Sequence, residues 1–161
     1  MIPIEWAHHD DGAYCGRPYT PPEDFSDKLI NDVSADGFGI IHWTTRPLDI
    51  FFKNLQNQVW SNTLNQSLSS TAGAMALDFF GPAESQTMTT YLNDWMSGAP
   101  QFNRETGNDF AWHIENVGTV AAAVDNRLAT LDLIDTTNMS TAAVKRWKYF
   151  RGHEEWIKLF H

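Results

Sequence analysis

Asp36-Gly-Phe-Gly-Ile-Ile-His-Trp-Thr-Thr-Arg-Pro-Leu-Asp49 is the stretch that decides how this chain is read. Its first half, Asp36 to Trp43, is a mostly apolar run through Phe38, Ile40 and Ile41, the pattern of a strand buried on both faces. Thr44-Thr-Arg46 follows as a short polar loop. Pro47 suits the first turn of a helix, where its missing N–H and fixed φ cost nothing. The order strand, polar loop, helix is the unit from which α/β folds are built.

Upstream, Ile2-Pro-Ile-Glu-Trp-Ala7 reads as a second short strand, with Pro3 confining it to an edge or a first position. Between the two strands lies a long loop from His8 to Asp36 containing Pro18, Pro21 and Pro22. A loop of that length inside a compact domain is usually functional.

Downstream the periodicity changes from 2 to 3.6. Leu48, Phe51, Phe52, Leu55 and Val59 predict one inward stripe on a helix over 47–60. Leu68, Ala72, Met75, Ala76 and Phe79 predict a helix over 68–80, stopped by Gly81-Pro82. Met88, Tyr91, Leu92 and Trp95 predict a third over 83–96. A polar loop, 99–109, separates it from a fourth over 111–134, carrying Ile114, Val117, Val120, Ala121, Val124, Leu128 and Leu131. The last helix begins after Ser140, a plausible N-cap, and carries Val144, Trp147, Phe150 and Ile157. The expected fold is mainly α with a small α/β N-terminal part, the composition changing once, between residues 1–47 and 48–161. No internal repeat and no low-complexity tract interrupts it.

Composition narrows the function classes. The chain of 161 residues is long enough for one ordinary domain. Eleven Lys and Arg face 20 Asp and Glu, a net charge of −9. Such a surface repels phosphate backbones, so neither nucleic acid nor an anionic membrane is an expected partner. No apolar run approaches the roughly 20 residues of a membrane span. Cys15 is the single cysteine, so no internal disulfide can form. No Gly-x-Ser-x-Gly elbow and no phosphate-cradling Gly-rich loop is present. Seven Trp stand out. They serve either a core of large aromatics or a platform for sugar rings, since an indole pairs a flat apolar face with an N–H.

Three constellations could carry chemistry. Glu5-Trp6-Ala7-His8-His9-Asp10-Asp11-Gly12, continuing to Tyr14 and Arg17, gathers ionisable residues just past a strand. It reads as an acidic surface turn, as a glycan site with Glu5, Asp10 or Asp11 as catalytic carboxylates, or as a metal site on His8, His9, Asp10 and Asp11. The metal reading lacks a supporting His pair at helical spacing. In the second, His42 can bond a hydroxyl, Trp43 can stack on a ring, and Arg46 can grip a carboxylate; Asp49 completes it. Arg46 and Asp49 also fit a plain i, i+3 pair at a helix start. The third, Phe102-Asn103-Arg104-Glu105-Thr106, reads as a surface loop from which Arg104 and Glu105 could contribute to a pocket. His113, His153 and Glu154-Glu155 are expected in core or solvated-face roles.

Gly37-Phe-Gly-Ile-Ile-His-Trp-Thr-Thr-Arg-Pro-Leu-Asp49 resembles the last strand and following loop of carbohydrate-active (β/α)8 enzymes, α-glucuronidase-like glycoside hydrolases in particular. The resemblance covers the layout of about residues 1–60. It implies that residues 1–62 are the last two strand–helix units of a (β/α)8 barrel and that the rest is a C-terminal helical region. It implies a hydrolase segment acting on plant or algal polysaccharide, including acidic sugars, from a secreted or periplasmic parent. Glu5, Asp10 and Asp11 would then supply catalytic carboxylates. Trp6, His8, His9, Tyr14, Arg17, His42, Trp43, Arg46, Asp49 and Arg104 would bind substrate. No metal or other cofactor is implied; the partners are the carbohydrate and the remaining part of the barrel. Two alternatives stay open: a non-catalytic carbohydrate-binding or interaction module, and a metal-dependent hydrolase.

Overall fold

A computed structural model describes residues 4–6, 39–41, 49–60, 67–98, 105–106, 109–110 and 117–160. The fold is mainly α. Strand β1 (Ile4–Trp6) pairs in parallel with β2 (Gly39–Ile41), in the register Ile4 to Gly39, Glu5 to Ile40 and Trp6 to Ile41. Helices α1 (Asp49–Trp60), α2 (Leu68–Phe80) and α3 (Ser85–Gly98) follow. Next come β3 (Glu105–Thr106) and β4 (Asp109–Phe110), α4 (Val117–Asp132), a 3₁₀ turn (Thr136–Asn138) and α5 (Thr141–Phe160).

Local chemistry fixes the helix ends. Ser67 caps α2 by accepting a hydrogen bond from the Ser70 amide at 3.1 Å. Gly81 ends it at φ 87° and ψ 169°, a conformation suited to glycine, and Pro82 cannot continue the ladder. At the far end of α4, the amides of Leu133 and Ile134 bond to the carbonyls of Thr130 and Leu131, tightening the last turn. The Asp135 carboxylate accepts from the Thr137 amide at 2.9 Å and so starts the 3₁₀ turn. Ser140 caps α5 as the sequence predicts, accepting from the Ala143 amide at 3.1 Å.

One core joins the helices. Ile50 of α1, Ala72, Met75, Ala76 and Phe80 of α2, and Met88, Tyr91, Leu92 and Trp95 of α3 are buried together with Leu131, Ile134, Ala143 and Phe150. Removing each large side chain from water contributes about 1.5–3 kcal/mol. Phe150 is the hub: Trp95 meets it edge-on at 5.0 Å between ring centroids, and Tyr91 does so at 5.4 Å. A smaller cluster of Val120, Val124 and Ile157 fastens α4 to α5. The Trp147 indole N–H adds a second bond, at 3.0 Å, to the Leu131 carbonyl, which also accepts from the Ile134 amide.

Four expectations need correction. Phe52, placed inward by its spacing, is 44% exposed, and Ile50 takes the inward position. The helix turns that way because Asn54, one turn beyond Ile50, is buried and donates to the Thr71 hydroxyl at 2.9 Å. The third helix is displaced by two residues, because positions 82–84 form a turn in which Pro82's carbonyl accepts from the Ser85 hydroxyl. The polar loop after it contains the antiparallel pair β3–β4, with Glu105 opposite Phe110 and Thr106 opposite Asp109. Gly107-Asn108, the two residues between, are of the type that two-residue hairpin loops use. The fourth helix closes at Asp132 rather than 134; its expected start, 111–116, lies outside the described residues.

Candidate functional site

The parallel register fixes where two of the predicted clusters are attached. Trp6 and Ile41 are partners at the C-terminal ends of β1 and β2. Both strands therefore point the same way, and the chain leaves both at one edge of the pair. The C-terminal edge of parallel strands is where α/β folds place their sites. Glu5 and Trp6 belong to β1 itself. His8, His9, Asp10, Asp11, Tyr14, Arg17, His42, Trp43, Arg46 and Arg104 lie outside the described residues.

Asp49 is the predicted site residue whose side chain is described, and it opens α1 exposed. It lines two adjoining grooves. One, of about 340 Å³, is bounded by Asp49, Phe79, Lys145, Arg146, Tyr149 and Phe150. The other, of about 370 Å³, is bounded by Asp49, Phe52, Lys53, Gln56 and Phe79. Asp49 and Phe79 belong to both, so the grooves meet there. The Arg146 guanidinium lies 4.5 Å from the centre of the Phe79 ring, a cation–π contact. Burial and then the Asp49 charge raise the Tyr149 hydroxyl above its ordinary pKa, so it is a hydrogen-bond donor at neutral pH.

Of the groove's α5 side, sequence periodicity found Phe150 and missed Lys145, Arg146 and Tyr149. Lys145 and Arg146 fall on the exposed face of the last helix, and nothing in their spacing signals that α5 packs beside α2. The exposed cations become a wall only through that packing.

A second polar group is fully buried between α3, α4 and α5. Arg127 Nε donates to Glu154 Oε1 at 2.9 Å, and the Tyr91 hydroxyl donates to the same oxygen at 3.1 Å. Burial, then the Glu154 charge, hold the Tyr91 pKa well above its usual value. Arg127 Nη1 and Nη2, Glu154 Oε2 and His153 Nδ1 are buried without a hydrogen-bond partner among the described residues. A Cβ at Gly98, which closes α3, would meet the Asp94 carboxylate at 2.6 Å, whereas Arg127 Nη1 would lie at an ordinary contact distance of 3.5 Å. The expectation of a core or solvated-face role holds for Glu154 as core. Glu155 is exposed and pairs with Arg151 at 3.2 Å. Arg127, the partner that makes burial of Glu154 possible, carried no sequence signal.

Among the described residues no three His, Cys, Asp or Glu side chains come together as metal ligands. None of the described helices is long and apolar enough to cross a membrane. Comparison with protein-family models, with curated proteins and with solved structures finds no match to this chain.

Proposed function

We propose that this chain is the C-terminal segment of a glycoside hydrolase acting on plant or algal polysaccharide. Residues 1–62 would be the last two strand–helix units of a (β/α)8 barrel, and 63–161 its helical extension. The observation that carries the reading is the parallel partnership of Trp6 with Ile41. It tethers the segment bearing His8, His9, Asp10 and Asp11 and the segment bearing His42, Trp43 and Arg46 to one strand edge. Adjacent barrel strands pair in this way, and their loops surround the substrate.

In this mechanism a protonated carboxylic acid gives its proton to the glycosidic oxygen as the C–O bond breaks. A second carboxylate either takes a proton from the attacking water or attacks the anomeric carbon itself. Glu5, Asp10 and Asp11 are the carboxylates this chain offers. A complete pair usually draws on different strands, so at least one member would come from the remaining part of the barrel. Trp6, Trp43 and Tyr14 would line the subsite, and Arg17 or Arg46 would pair with an acidic sugar.

The test is turnover of a panel of aryl glycosides, with Glu5→Gln as the variant. Turnover abolished by that change supports the hydrolase. Sugar binding that survives Glu5→Gln but is lost in Trp43→Ala points instead to a non-catalytic binding module. Activity lost to a chelator and regained with Zn²⁺ or Mn²⁺ points to a metal-dependent hydrolase on His8, His9, Asp10 and Asp11.

A further inference from the structure

We infer that the groove between α1, α2 and α5 is a binding site for a sugar ring carrying a negative charge, a carboxylate or a sulfate. The inference goes beyond the hydrolase reading, because the site stands on the helical part and needs no catalytic carboxylate.

The first argument is charge. This chain has nearly twice as many acids as cations, and its described cations are mostly paired. Lys53 is paired with Asp78, Arg127 with Glu154, Arg151 with Asp132 and Glu155, and Lys158 with Asp125. Lys145, Arg146 and Lys148 have no carboxylate within ion-pair distance among the described residues, and of these Lys145 and Arg146 are adjacent and line the groove. Two adjacent unpaired cations in an acidic protein favour an anion locally, since the interaction falls with distance and with screening by salt.

The second argument is shape and surface. Phe79, Tyr149 and Phe150 give the groove aromatic walls. Aromatic faces suit the C–H face of a pyranose, and the volume of about 340 Å³ lies in the range of small-molecule sites. The Phe79 ring also holds the Arg146 guanidinium at the groove, so part of the ordering needed to bind an anion is already present.

The third argument is Asp49, which at first sight opposes an anion. Its charge is outnumbered two to one by Lys145 and Arg146. It lies where the two grooves meet, and a carboxylate there accepts hydrogen bonds from ring hydroxyls. The Tyr149 hydroxyl, kept protonated, can donate to the ligand. The groove thus offers cations for the acidic substituent and one acceptor and one donor for the hydroxyls, which an inorganic anion cannot use.

Isothermal titration of the full chain with glucuronate, glucose 6-sulfate, glucose and inorganic sulfate tests this. The expected result is binding of one or both charged sugars, at least about tenfold tighter than glucose or inorganic sulfate. That preference should fall about tenfold or more in Lys145→Ala/Arg146→Ala, the loss of charge-assisted hydrogen bonds. Preference for glucuronate assigns a carboxylate, and preference for the sulfate ester assigns a sulfate. The double variant must retain the wild-type thermal transition; if it does not, the single variants Lys145→Gln and Arg146→Gln replace it. Glucose binding as tightly as the charged sugars, inorganic sulfate matching them, no binding of any probe, or binding indifferent to the cation variants overturns the inference. None of those results touches the hydrolase reading, which is decided by aryl-glycoside turnover and Glu5→Gln.

Discussion

Arg127 and Glu154, 27 positions apart, form an ion pair whose two side chains are both completely removed from solvent. The pair joins α4 to α5, and Tyr91 ties it to α3. Taking both charges out of water is costly, and only one guanidinium nitrogen and one carboxylate oxygen are matched. Such a pair is weak as a source of net stability but punishing to break.

Glu154→Leu is therefore expected to destabilise the fold by about 3–5 kcal/mol, because it leaves Arg127 charged, buried and alone. Arg127→Met/Glu154→Leu should recover most of that loss, since apolar replacement of both partners is often neutral or stabilising. Urea unfolding of the three proteins checks the point. A double variant as unstable as the single one would show that the pair holds the helices by geometry that apolar packing cannot supply.

Gly81→Ala isolates backbone strain from crowding. A Cβ at position 81 would meet nothing within 4 Å, yet the residue sits at φ 87° and ψ 169°. That region is essentially reserved for glycine and costs other residues about 1–3 kcal/mol. Thermal and urea melts should show a loss of that size. Gly152→Ala, also in open space but within α5 at an ordinary φ, should be neutral to stabilising by up to about 1 kcal/mol.

His153 gives the fold a dependence on mildly acidic pH. Burial, and then the Arg127 charge, lower its pKa below the ordinary value of 6.5. The folded state thus takes up the proton less readily than the unfolded chain. His153 costs no stability above about pH 6.5, and stability falls as pH drops from there toward the depressed folded value. His153→Gln should flatten the melting temperature between pH 7.5 and 5.5 relative to wild type. A wild-type slope that persists unchanged in the variant would assign the effect to other groups.

The sequence made the helical part largely legible because its code is local. Ala72, Met75 and Ala76 recur at 3–4 spacing up to the Gly81-Pro82 stop, and α2 has the predicted bounds. Ser140 likewise marked the start of α5. What failed was non-local. Asn54 faces inward only because Thr71 of another helix receives its amide. Arg127 and Glu154 are buried only because each finds the other. Hydropathy assigns all of these to water. The predicted site divides along the same line. Strand spacing suggested two segments beside a sheet, and the pairing of Trp6 with Ile41 joins their attachment points. The groove cations belonged to neither cluster, since a wall built from separate helices has no sequence spacing of its own.

The bond from the Trp147 indole to the Leu131 carbonyl spans 16 positions, whereas that from Tyr91 to Glu154 spans 63. Closing the shorter loop sacrifices less chain freedom. On that ground α4 and α5 are expected to pair before α3 docks onto them. Trp147→Phe should then act mainly by slowing refolding, and Tyr91→Phe mainly by hastening unfolding. The indole nitrogen, a minor tie at a helix end, would on that outcome be a timekeeper of assembly.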